Sequence, residues 1–168
     1  MPEAVRLVPS RLPCAGQLLG FNNRTCESGT KKAGPGVGPT LRTATHTNNW
    51  ATFTVTVTGG ENLATLSTFV AEGAAQPLCV GNLVAEKRDA CADPRAHIHP
   101  AAQAGSSIPW KLTPVGDSFT IAYTGRPDGC AGYLTASAAC GTTSPFLAPA
   151  DGSKLQQWVL KPVGPSSR

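Results

Sequence analysis

The sequence predicts an all-β fold of three pseudo-equivalent units, each of about four short strands. Three observations predict it. The chain of 168 residues carries 18 Gly and 15 Pro, about a fifth of its length, and both residues break helices. A Cys-(Ala/Val)-Gly-x-Leu pattern occurs three times. Each occurrence is followed by one of the three tryptophans in the chain.

The repeat is read from Cys14-Ala15-Gly16-Gln17-Leu18, Cys79-Val80-Gly81-Asn82-Leu83 and Cys130-Ala131-Gly132-Tyr133-Leu134. A second cysteine follows each first one, at Cys26, Cys91 and Cys140, after 12, 12 and 10 residues. Trp50, Trp110 and Trp158 come next in each unit. Two of them open similar segments, Trp110-Lys111-Leu112-Thr113-Pro114-Val115-Gly116 and Trp158-Val159-Leu160-Lys161-Pro162-Val163-Gly164. The expected units lie near 1–58, 59–116 and 117–168 of a single domain. Units of this kind bury their apolar faces against one another.

The strands follow in order. One strand precedes each Cys-x-Gly, one carries its Leu, one lies mid-unit and one starts at the Trp. Phe53, Val55 and Val57 alternate with Thr52, Thr54 and Thr56, the period-2 mark of a half-buried strand. Phe119, Ile121 and Tyr123 alternate likewise, and Leu66 to Val70 gives a shorter run. Turn residues separate them at Gly59-Gly60, Gly116-Asp117, Pro127-Asp128-Gly129 and Asp151-Gly152-Ser153. Twelve strands in three equal groups match a β-trefoil, a six-stranded barrel closed at one end by three hairpins, with no exposed sheet edge in the barrel. The longest irregular stretch, 29–39, contains Lys31-Lys32 and reads as a flexible loop inserted in the first unit.

Composition excludes several classes of function. Charged residues are only 14% and the net charge of +4 is spread along the chain, so no clustered basic face invites nucleic acid. No apolar window is long enough to insert in a membrane. No Gly-x-Ser-x-Gly and no paired carboxylates suggest an enzyme. His97 and His99 would share a strand face, but only His46 remains to complete a metal site; neither metal nor cofactor is expected.

Six cysteines at regular spacing suggest a disulfide framework and an oxidising compartment. The repeat symmetry selects one of fifteen connectivities: Cys14–Cys26, Cys79–Cys91 and Cys130–Cys140. Asn23-Arg24-Thr25 is an N-glycosylation sequon, consistent with a secreted or extracellular protein. The start, Met1-Pro2-Glu3-Ala4, shows no charged n-region followed by an apolar h-region, so no signal peptide is expected within these residues. The chain is therefore expected to be a mature piece, an excised domain or the product of an incomplete gene model.

With three repeats, one Trp near the end of each, and Gln156-Gln157-Trp158 matching a Gln-x-Trp signature, the chain resembles the ricin-B-type β-trefoil family. Asn48-Asn49-Trp50 varies that signature, and Ile108-Pro109-Trp110 lacks its polar member. The resemblance implies that the indoles pack in the barrel bottom. It also implies sugar sites built from an early Asp, a stacking ring and a nearby amide. This sequence departs from that pattern, because Gly16, Gly81 and Gly132 stand near the place of the Asp. The third unit keeps the most suitable groups: Tyr133, Asp151 and Gln156. A carboxylate accepts sugar hydroxyl bonds and a ring packs on the apolar sugar face. Each residue also has a structural use: a half-buried strand Tyr, a turn Asp before Gly152, and an amide tying down a loop.

The expected function is a non-catalytic, lectin-like module binding a glycan or glycoprotein. An alternative is a structural or adhesive module that binds neighbouring protein subunits in a cell-surface, wall or matrix assembly. A third reading is a trefoil protease inhibitor presenting Gly125-Arg126-Pro127-Asp128-Gly129.

Overall fold

The structure is a computed structural model, and it describes residues 3–10, 18–20, 40–42, 52–68, 81–85, 96–99, 107–125, 132–138 and 145–163. All six cysteines, Asn23, Trp50, Arg126 and the 29–39 loop lie outside the described residues.

Twelve strands are present among the described residues. They are β1 (Glu3–Pro9), β2 (Leu18–Gly20), β3 (Thr40–Arg42), β4 (Phe53–Val57), β5 (Leu63–Thr68) and β6 (Asn82–Ala85). The rest are β7 (Ala96–His99), β8 (Trp110–Val115), β9 (Ser118–Tyr123), β10 (Tyr133–Thr135), β11 (Phe146–Ala148) and β12 (Gln157–Pro162). Six of them close a ring of antiparallel pairs: β1–β4, β4–β5, β5–β8, β8–β9, β9–β12 and β12–β1. The other six form three hairpins, β2–β3, β6–β7 and β10–β11. A six-stranded closed ring with three hairpins is the β-trefoil.

The same order runs through β1–β4, β5–β8 and β9–β12. β2, β6 and β10 carry Leu18, Leu83 and Leu134, the Leu of the repeated pattern. Trp110 opens β8, and Trp158 is the second residue of β12. The β8–β9 turn is the two residues Gly116-Asp117, and Gly116 has φ +60°. A two-residue hairpin with a left-handed first position favours glycine there.

The core draws on all three groups. Leu7, Leu66 and Ile121 from β1, β5 and β9 are fully buried, as are Trp110 and Trp158. The period-2 patterns locate the strands but not their depth. Phe53 is buried while Val57, on the same face of β4, is 72% exposed. Alternation sets the face of a strand; Val57 stands at its far end, beside the turn to β5, where no core remains to cover it. β5 also begins at Leu63, three residues before the run read from the sequence.

Candidate functional site

The third group builds one surface from β10, β11 and the segment after them. Register pairs Tyr133 with Ala148, Leu134 with Leu147, and Thr135 with Phe146. Side chains alternate along a strand, and directly opposed residues share a face. Leu134 and Leu147 therefore take the core face, and both are buried. Tyr133, Thr135, Phe146 and Ala148 take the other face. Tyr133 is half-buried and Phe146 is 38% exposed. Thr135 is nonetheless buried, because the Gln156 side chain reaches it.

The chain leaves β11 through Pro149 and Asp151. It turns at Gly152, with φ +71°, and enters a 3-10 turn over Lys154–Gln156. That turn brings Gln156 inward, where it is only 2% exposed. Its Nε2 donates to the Pro149 carbonyl at 2.7 Å and to Thr135 Oγ1 at 3.2 Å. Its Oε1 accepts the Asp151 backbone N–H at 3.0 Å. The Thr135 hydroxyl in turn donates to the Tyr133 carbonyl at 2.9 Å. A continuous relay thus joins Tyr133, Thr135, Gln156 and Asp151. Both amide hydrogens of Gln156 are used, as a buried amide requires.

Asp151 is exposed, and its Oδ1 accepts the Ser153 N–H at 2.8 Å. This bond is the first cause that holds its carboxyl below the ordinary value. The Ser153 hydroxyl reinforces it from the side, although it reaches no partner in full hydrogen-bond geometry. The slight burial opposes both and does not outweigh them. The carboxylate is ionised at neutral pH. Lys154 Nζ donates to Gln157 Oε1 at 3.1 Å.

The structure thus brings Tyr133, Asp151 and Gln156 onto one connected segment. It gives Gln156 a holding position rather than a free face. Two residues were not found from sequence. Phe146 sits diagonally across β10–β11 from Tyr133, a spacing of about 7–8 Å in a paired ladder. Its signal is faint, since β11 is only three residues long. Thr135 follows Leu134 in the repeat and reads as an ordinary strand threonine. Among the described residues no three His, Cys, Asp or Glu side chains converge as a metal site. No helix there is long and apolar enough to cross a membrane.

No model of a known protein family matches the sequence, and no curated protein is similar to it. Solved structures are similar in fold. The designed threefold-symmetric protein ThreeFoil superposes with a TM-score of 0.67 at 14% identity, covering 95% of this chain and 99% of that one. A mosquitocidal holotoxin gives 0.69 at 6% identity, over 98% of this chain and 18% of the toxin. The lectin of Polyporus squamosus, solved with the human-type influenza-binding epitope Neu5Aca2-6Galb1-4GlcNAc, gives 0.64 at 11% identity, over 95% of this chain and 48% of the lectin. The protein shares the β-trefoil fold with proteins that include lectins.

Proposed function

We propose that the protein is a non-catalytic, lectin-like module that binds a glycan outside the cell. The relay through Gln156 carries this reading. It ties the loop bearing the ionised Asp151 to the strand bearing Tyr133. A carboxylate and a half-buried ring, Tyr133, are thereby tied together through hydrogen bonds, and the partly exposed ring of Phe146 lies diagonally across β10–β11 from Tyr133. Such a surface accepts hydroxyl hydrogen bonds at the carboxylate and stacks an apolar sugar face on the rings. Gln156 supports the site without touching the ligand. A shallow site of this size binds with a dissociation constant of about 0.1–1 mM. Its role is therefore that of a selective, reversible contact.

A second reading is a protein-binding module of a larger assembly. The holotoxin, in which a matching region is 18% of the chain, favours it. A glycan array probed with wild type and Asp151→Ala separates the two. Binding by wild type that is lost in Asp151→Ala supports the lectin reading. No glycan bound at millimolar concentration, or binding that is unchanged in Asp151→Ala, contradicts it.

A further inference from the structure

The strands β2, β6 and β10 occupy the same place in the three groups. Their repeat leucines Leu18, Leu83 and Leu134 pair with Arg42, Ile98 and Leu147. The next residue in each strand is Leu19, Val84 and Thr135. All three are buried, at 0%, 1% and 3% exposure. In two groups the position holds an aliphatic side chain of the core. In the third it holds a hydroxyl that accepts from Gln156 and donates to the Tyr133 carbonyl.

The residue two before each tryptophan varies as well. It is Asn48, Ile108 and Gln156. Ile108 packs against the apolar core. Gln156 instead spends its amide on Thr135, Pro149 and Asp151. A buried glutamine amide needs acceptors for both of its hydrogens. Without the Thr135 oxygen one of them is stranded, and the amide is free to turn away from the Asp151 N–H. The Asp151 turn then loses the bond that fixes it to β10. Leu19 and Val84 offer no oxygen, so no such relay can form through them.

We infer that Thr135 is the positioning residue that makes a binding surface of the third group, and that the chain carries one glycan site. This rests on the carbohydrate-binding reading. One site per chain makes the protein a monovalent binder: it attaches to a glycan without crosslinking two of them. Strong attachment then depends on several chains held together, since linked sites gain avidity that one shallow site lacks.

The test uses the intact chain, Thr135→Val and Thr135→Ser. Valine matches threonine in shape and removes only the hydroxyl; serine restores it. Binding is followed by calorimetry against lactose, cellobiose, diacetylchitobiose and mannobiose, each to about 10 mM, a range set by the expected weak affinity. Hydrogen exchange of the Asp151 amide is measured in parallel, without sugar. The wild type should bind one sugar per chain. Thr135→Val should bind about tenfold more weakly, the equivalent of one hydrogen bond, and its Asp151 amide should exchange faster. Thr135→Ser should return both towards wild type. Two or three sugars per wild-type chain overturn the single site, a result that does not depend on how the variant folds. Wild-type affinity in Thr135→Val, or unchanged exchange at Asp151, overturns the positioning role. If the wild type binds none of the four sugars, the carbohydrate reading and the single site fall together, while the exchange result still decides whether Thr135 holds the turn.

Discussion

The second and third four-strand groups use one frame for two ends. In both, a fully buried indole donates to the carbonyl of the repeat leucine: Trp110 to Leu83 at 2.7 Å and Trp158 to Leu134 at 2.9 Å. In both, the carbonyl just before the tryptophan accepts a backbone N–H from the end of a neighbouring barrel strand. Thr124 donates to Pro109 at 3.3 Å, and Ser10 donates to Gln157 at 2.8 Å. The groups part at two side chains. The second has Val84 and Ile108, both apolar; the third has Thr135 and Gln156, bonded to each other. The backbone and the indole hold the fold, and that pair of positions is left to vary. In these two groups the change is paired, and a glutamine facing a valine would leave a buried amide unpaired.

Removing either indole tests the shared frame. Trp110→Ala and Trp158→Ala should each destabilise by about 3–5 kcal/mol in chemical denaturation. Tolerance of either change would break the equivalence. The paired positions give a sharper test. Ile108→Gln alone places an amide against the apolar core and should destabilise by about 1–3 kcal/mol. Adding Val84→Thr should recover part of that loss, a coupling of about 0.5–2 kcal/mol. Strictly additive losses would show that the two positions do not act together in the second group.

Two glycines probe the same two ends more gently. A Cβ on Gly125 would lie 2.7 Å from Tyr123 Cε2 and 2.9 Å from Ile108 Cγ2. The Tyr123 ring is itself held at 4.8 Å from Trp110, centroid to centroid. Gly125→Ala should therefore destabilise by about 1–3 kcal/mol through overpacking. At Gly152 a Cβ meets nothing within 4 Å, and only its φ of +71° resists substitution. Gly152→Ala should destabilise by about 1 kcal/mol. The smallest stability effect belongs to Asp151→Ala, which should leave the melting temperature nearly unchanged while removing glycan binding.

Acid sharpens the contrast between carboxylate and core. The Asp151 carboxyl is held below its ordinary value, so its folded pKa is lower than its unfolded one. Its contribution is complete above the unfolded value and is lost as pH falls through the folded value. Glycan binding through Asp151 should thus persist to about pH 4 and fade only below it. Loss of binding nearer neutrality, with the fold intact, would point to another group.

Much of the fold was legible because the repeat is written in residues that the frame needs. The Cys-x-Gly-x-Leu pattern marks β2, β6 and β10, and the tryptophans mark β8 and β12. The cysteine pairs and the Asn23 sequon fall outside the described residues, and non-reducing peptide mapping decides the pairing. The site was legible only in part. Tyr133, Asp151 and Gln156 could be named by type and place. The inward turn of Gln156 could not, since it depends on Thr135, 21 residues away. Phe146 escaped notice because its face is set by pairing with β10 and not by a local pattern. The exposure of Val57 was hidden for a similar reason: alternation reports a face, and depth comes from the strands around it.

The most direct measurement is an amide NMR titration of the whole protein with the strongest sugar found on the array. The account predicts that the shifted resonances cluster at Tyr133, Thr135, Phe146 and the 149–153 turn, with 82–85 and 108–110 unmoved. Shifts centred on 82–85 and 108–110, or shared equally between the two groups, would contradict it.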